Sequence, residues 1–88
     1  MRIESISWDD GTIAHIARHS VEPAEVEEAL FERAPHVFKT KNNRHIALGQ
    51  AGNGRYLTVI LEYIGEHRAK VITGRAMSEA ERKLYRRR

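Results

Sequence analysis

Cysteine is absent from this 88-residue sequence. Disulfides and thiolate metal sites are therefore excluded, and a reducing, cytoplasmic location is the default expectation. Long apolar runs are missing too. Nothing approaches the roughly 20 apolar residues that cross a bilayer, so no membrane role is expected. The opening MRIESISWDD has no apolar stretch after Arg2 and does not read as a secretory signal. There is no repeat, low-complexity segment or linker, so residues 1–88 read as one domain. Hydrophobic residues make up 41% of the chain and charged ones 31%, which supports a folded domain with a thin core.

Charge is present but unevenly placed. Residues 1–32 hold two basic side chains, Arg2 and Arg18, against eight acidic ones, a net of −6. Residues 33–88 hold thirteen against four, a net of +9, which recovers the overall +3. The asymmetry predicts one acidic and one basic side, and a basic side attracts polyanions. The plainer alternative is a solvated charged face.

The pattern of residues predicts an α+β domain in the order β-α-α-β-β-β-β-α, with a largely antiparallel sheet. RIESIS reads as a short first strand, and Asp9 or Asp10 can cap the helix after it. Ile13, Ile16 and Ala17 would be that helix's buried stripe. VEPAEVEEALFERAP gives a second helix, with Pro23 at its first position, a staple of Val21 on Val26, and Val26, Ala29 and Leu30 facing the core. HVFKT, RHIALGQA, RYLTVILEYI and RAKVITGR read as strands, joined near Lys41-Asn42-Asn43, GNG at 52–54 and Gly65-Glu66. Ser78 opens the last helix.

The residues able to do chemistry lie mostly in the basic half. Arginine holds phosphate oxygens bidentately, and Arg44, Arg55, Arg68, Lys70 and Arg75 could together grip RNA. Arg75 stands out because strict alternation puts it on the face of Ala69, Val71 and Thr73, opposite Arg68 and Lys70. A charge on that apolar face needs a partner or a task. Glu81 completes a capping box with Ser78, and it is also an acid–base candidate that can pair with Arg75. Tyr85 lies one turn beyond Glu81, beside Arg82, at the edge of a core stripe expected to be Ala80 and Leu84. It can pack or meet a nucleotide. His15 and His19 share a helix face without a third ligand at a recognisable offset, so no metal is expected. His19 remains an acid–base candidate. Trp8 is expected in the core, and Arg86, Arg87 and Arg88 as a basic tail.

Taken in order, WDDGTIAHIARH, VEPAEVEEAL, RHIALGQAGNGRYLTVILEY and RAKVITGRAMSEAERKLYRR resemble the BrnT family of type II toxin–antitoxin toxins. The resemblance runs from about Ile6 to Arg87, and its specificity lies in the order and spacing of Trp8-Asp9, Arg18-His19, Leu48-Gly49, Gly54-Arg55, Arg75-Ala76, Glu81-Arg82 and Tyr85. It implies a RelE-like fold with two N-terminal helices on one side of the sheet and a closing C-terminal helix. It also implies an endoribonuclease that needs no metal or cofactor and blocks translation. The positions matching the family's motif are His19, Arg55, Arg75, Glu81, Arg82 and Tyr85. A BrnA-type antitoxin is the implied partner, and DNA would be met only through it. One position departs: the family commonly has lysine three residues after Trp-Asp, and here it is Thr12. Two other classes stay open, a catalytically inactive module that docks a protein partner through its basic face and a protein that binds nucleic acid without cutting it.

Overall fold

The computed structural model describes residues 3–87. Arg2, at the start of the expected first strand, and Arg88, at the end of the expected basic tail, lie outside the described residues. The elements follow the expected order: β1 (Ser5–Ser7), α1 (Asp10–Ala17), α2 (Pro23–Phe31), β2 (His36–Lys39), β3 (Arg44–Gln50), β4 (Tyr56–Gly65), β5 (Arg68–Ala76) and α3 (Glu79–Arg87). Five strands form one sheet in the order β1-β5-β4-β3-β2. β1 runs parallel to β5, and the other neighbours are antiparallel. The first strand is shorter than RIESIS suggests; Ile3 packs against the core from outside it.

The sheet is the middle layer. Ala47, Leu57, Val59, Leu61, Ala69 and Val71 point to one face and pack with Ile16, Val21, Val26 and Ala29 of the N-terminal half. Leu48 points the other way and meets Met77 and Tyr85, with Phe38, Ile46 and Tyr56 around them. Strand alternation thus feeds two unequal cores. On the larger face α2 lies so close that a Cβ at Gly49 would stand 2.6 Å from the Ala29 carbonyl oxygen, which explains glycine there.

Local signals set the helix starts. Asp9 caps α1 by accepting from the Thr12 N–H at 2.7 Å. Pro23 occupies the first turn of α2, and the Glu22 N–H donates to Glu25 Oε1 at 3.0 Å. Val21 and Val26, the expected staple, are both buried. The predicted stripe of α1 is corrected: only Ile16 is buried, while Ile13 is 37% exposed and Ala17 is also exposed. The reason is that α1 meets the sheet mainly at β5, where Ile16 and Val21 close over Gly74. Ser20 turns at φ +60°, and Val21 folds back to donate its N–H to the Ile16 carbonyl, filling the place expected for Ala17.

Trp8 is partly buried against the larger core, and its Nε1 donates to Glu27 Oε2 of α2 at 2.8 Å. The expected turns are present, with Asn42, Asn43, Gly54, Gly65, Glu66 and His67 all at positive φ.

Candidate active site

Arg75 is not on the face that strict alternation predicts. Ile60 pairs with Thr73 and Leu61 with Val71, so Ile72 is an extra residue in β5. Such a bulge resets the period of two. Beyond it Gly74 turns towards α1 and α2, while Arg75, opposite Thr58, turns towards α3. The task expected of an awkward charge is met there by Glu81.

The two side chains join end to end. Arg75 Nη1 donates to Glu81 Oε1 at 2.7 Å, and Nη2 donates to Oε2 at 2.9 Å. Oε1 also accepts from the Thr58 hydroxyl and from the Ser78 N–H, both at 2.8 Å. The Glu81 N–H donates to Ser78 Oγ at 3.2 Å, completing the expected capping box. The bond from Arg75 holds the Glu81 carboxyl down at about 2; Ser78 and Thr58 help, while burial works the other way. Reciprocally, Glu81 raises the affinity of Arg75 for its proton.

The guanidinium is not used up. Nη1 spends its second N–H on the Ala76 carbonyl at 3.3 Å. The Nε–H and the outer Nη2–H, which form the other edge of the fork, have no partner among the described residues. Arg75's side chain is 40% exposed. A planar donor pair fixed in direction and open to solvent fits two oxygens of a phosphodiester.

Beyond this pair the expected phase of α3 is corrected. Tyr85 is 5% exposed and packs against Leu48 and Met77, whereas Ala80 and Leu84 are exposed. The Glu81 tether and the Tyr85 ring, at i and i+4, define the inward side. The small Ala80 and a single Leu84 did not outweigh them. Arg82 faces outward, its guanidinium carbon 4.7 Å from the Tyr56 ring centroid, and Tyr56 meets Tyr85 edge-on at 5.9 Å.

Other expected residues are not gathered at Arg75. His19 follows α1, in the opposite layer, its ring 5.5 Å from that of His15. His15 Nε2 lies 3.1 Å from Thr73 Oγ1. Among the described residues no group of three histidines or carboxylates could hold a metal. Thr12 sits in the first turn of α1. Arg55 Nη1 donates to both oxygens of Glu25 and to the Ser20 carbonyl. Arg44, Glu62 and Lys70 stand side by side across β3, β4 and β5. Four residues along the strand separate that row from Thr58, about 13 Å. Arg68 opens β5 beside Ser5. Two residues of the site escaped the sequence reading, Thr58 and Tyr56. A lone hydroxyl inside YLTVIL was the available signal for the first.

Three layers, with this strand order and an arginine–glutamate pair under the last helix, make this an α+β fold with a candidate anion site. No family model matches the chain, and no curated protein does. A solved structure does: the Brucella abortus ribonuclease toxin BrnT is 29% identical, with a TM-score of 0.69, over 85% of this chain and 97% of that one. This chain has a BrnT-like fold.

Proposed function

We propose that this chain is the toxin of a type II toxin–antitoxin pair and cleaves RNA at the Arg75 face. The observation that carries the proposal is the free edge of a guanidinium already fixed by Glu81; the likeness to a ribonuclease toxin supports the choice of RNA. In the reaction the RNA 2′-oxygen bonds to the adjacent phosphorus and the bond to the 5′-oxygen breaks, leaving a 2′,3′-cyclic phosphate and a 5′-hydroxyl. Charge accumulates on the non-bridging oxygens, where Arg75 is aimed and Arg82 stands close by along α3. Glu81 is a poor proton carrier, because Arg75, Thr58 and Ser78 already bond to its Oε1, Arg75 bonds to its Oε2, and its carboxyl stays ionised far below neutrality. Its role is to hold Arg75. His19 lies in the other layer, so the proton lost by the 2′-hydroxyl and the one gained by the 5′-oxygen pass through water. The Arg44–Lys70 row supplies phosphate contacts further along the strand.

A BrnA-type antitoxin is the corresponding partner, the basic face is its counterpart in charge, and the cytoplasm is the setting. Among the described residues no helix is long and apolar enough to cross a membrane. Tightly induced expression tests the proposal. Growth arrest by the wild type, with new 5′-hydroxyl RNA ends, should vanish in Arg75→Ala at matched soluble level. Arrest by both removes Arg75 from the site. Arrest by neither favours the inactive, partner-docking module, and Thr12→Lys is then the variant to try.

A further inference from the structure

We propose that the outer side of α3 holds a nucleotide-binding subsite in which a base stacks on Arg82. It rests on the reading of the Arg75 face as an RNA-cleaving site. Two separate features meet at Arg82. Its guanidinium carbon lies over the Tyr56 ring, 4.7 Å from the centroid, and Tyr56 is itself braced edge-on by the buried Tyr85. Arg82 also lines a groove of about 310 Å³ with Met77, Glu79, Lys83 and Arg86. A guanidinium seated over an aromatic ring has a second planar face, and unpaired bases stack on such planes.

The groove's chemistry suits one nucleotide of a single strand. Its volume is at the low end for ligand sites, too small for a duplex. Met77 gives it an apolar, polarisable wall. Glu79 is its one carboxylate, and Lys83 Nζ stands 3.9 Å away, which leaves Arg82 and Arg86, one helical turn apart, as cations with no carboxylate partner among the described residues. Because Arg82 follows Glu81 directly, a base stacked there belongs to a nucleotide flanking the phosphate at Arg75. The subsite therefore gives the protein a preference for unpaired, well-stacking bases next to the cut.

A single-stranded deoxyoligonucleotide carrying 2-aminopurine tests this without any cleavage, since it lacks the attacking hydroxyl. The wild type should bind it and quench its fluorescence. Arg82→Lys keeps the charge and loses the plane, and should weaken binding about tenfold and abolish the quench. Tyr56→Leu should do the same by releasing Arg82; if that variant does not fold, Arg82→Lys decides alone. Lys83→Ala should lower affinity and its salt dependence but keep the quench. Equal binding and quenching by Arg82→Lys overturns the proposal. Binding by the wild type without quenching overturns it as well, leaving the groove to charge alone. Arg75→Ala separates the two ideas: cleavage lost with quenching kept upholds the subsite, and cleavage kept in Arg75→Ala with quenching intact sinks only the proposed catalytic role.

Discussion

Among the described residues each face of the sheet carries one arginine–glutamate pair, and the two pairs are built differently. Arg55 reaches Glu25 through a single nitrogen, Nη1, with both oxygens at 3.1 Å. Glu25 also accepts from Asn53 Nδ2 at 2.8 Å, and Glu28 accepts from the Gly52 N–H at 3.0 Å. That web ties the 51–55 turn to α2, a helix carrying Glu25, Glu27 and Glu28. Arg75 meets Glu81 through two nitrogens and two oxygens, beneath a helix carrying Arg82, Lys83, Arg86 and Arg87. A two-point bond fixes a guanidinium's plane, and a basic surround favours a polyanion; a one-point bond in an acidic surround does neither. The same residue pair fastens a turn on one face and, on the other, fixes a guanidinium whose outer edge is the one proposed to hold phosphate.

The largest expected effect separates activity from stability. Arg75→Ala should lower RNA cleavage per folded molecule by roughly a hundredfold or more, about 2.7 kcal/mol in the barrier, and should also cost about 2 kcal/mol of stability as Glu81 loses its main partner. Arg55→Ala should cost a comparable amount of stability, about 1–2 kcal/mol from its hydrogen bonds, while cleavage per folded molecule changes only a few-fold. Urea unfolding beside single-turnover cleavage measures both. If Arg55→Ala cuts activity as deeply as Arg75→Ala, the contrast between the faces is wrong. Next in size is Gly49→Ala. The added methyl must push against an α2 carbonyl at 2.6 Å, so stability should fall by about 2–3 kcal/mol with the Arg75 side unaffected. Wild-type stability in that variant would mean α2 is not seated as closely as described.

Acid sharpens the comparison further. The folded Glu81 carboxyl titrates at about 2 against an ordinary 4.5, so the unfolded chain binds the proton first. The stability it contributes is whole above pH 4.5 and is lost as pH falls from there towards 2. The full shift corresponds to roughly 3 kcal/mol, and partial exposure of Arg75 reduces it to about 2. Glu25 is held low in the same direction; burial opposes it, but the bonds from Asn53 and the Glu22 backbone and the charge of Arg55 prevail. Glu81→Gln should flatten most of the acid slope, and near-ultraviolet dichroism of Tyr56 and Tyr85 should follow the loss in the wild type. An unchanged slope in Glu81→Gln would assign the acid loss elsewhere.

The elements that could be read from the sequence are those set by local chemistry. Pro23, the Asp9 cap, the Ser78–Glu81 box and the GNG turn each act within a few residues, and each stands where the residues put it. The BrnT resemblance supplied the fold, which composition and spacing alone left at the level of α+β. The misplaced features depend on contacts made across the fold. The bulge at Ile72 comes from pairing with β4, and it alone moved Arg75 to the α3 face. The phase of α3 is set by a tether to β4 and β5 that no helical periodicity contains. Arg55 looked like its fellow cations until the acidic helix beside it was in view. Arg75 and Glu81, by contrast, were legible as a pair because six residues span a strand end, a turn and a cap.

The smallest effect should come from Thr58, whose hydroxyl is fully buried and donates to Glu81 Oε1 at 2.8 Å. Thr58→Val removes one hydrogen bond at nearly constant volume, so about 1–1.5 kcal/mol of stability should go. Activity should fall further than that loss alone explains, because Glu81 then holds Arg75 with one constraint fewer and the fork loses part of its aim. The change should appear in kcat rather than KM, since charge and surface are untouched. Thr58→Ser keeps the hydroxyl and should restore kcat although it leaves a small cavity and remains less stable. If Ser and Val lower kcat equally, Thr58 serves packing alone, and the rigidity of Arg75 comes from Glu81 and Ser78 without it.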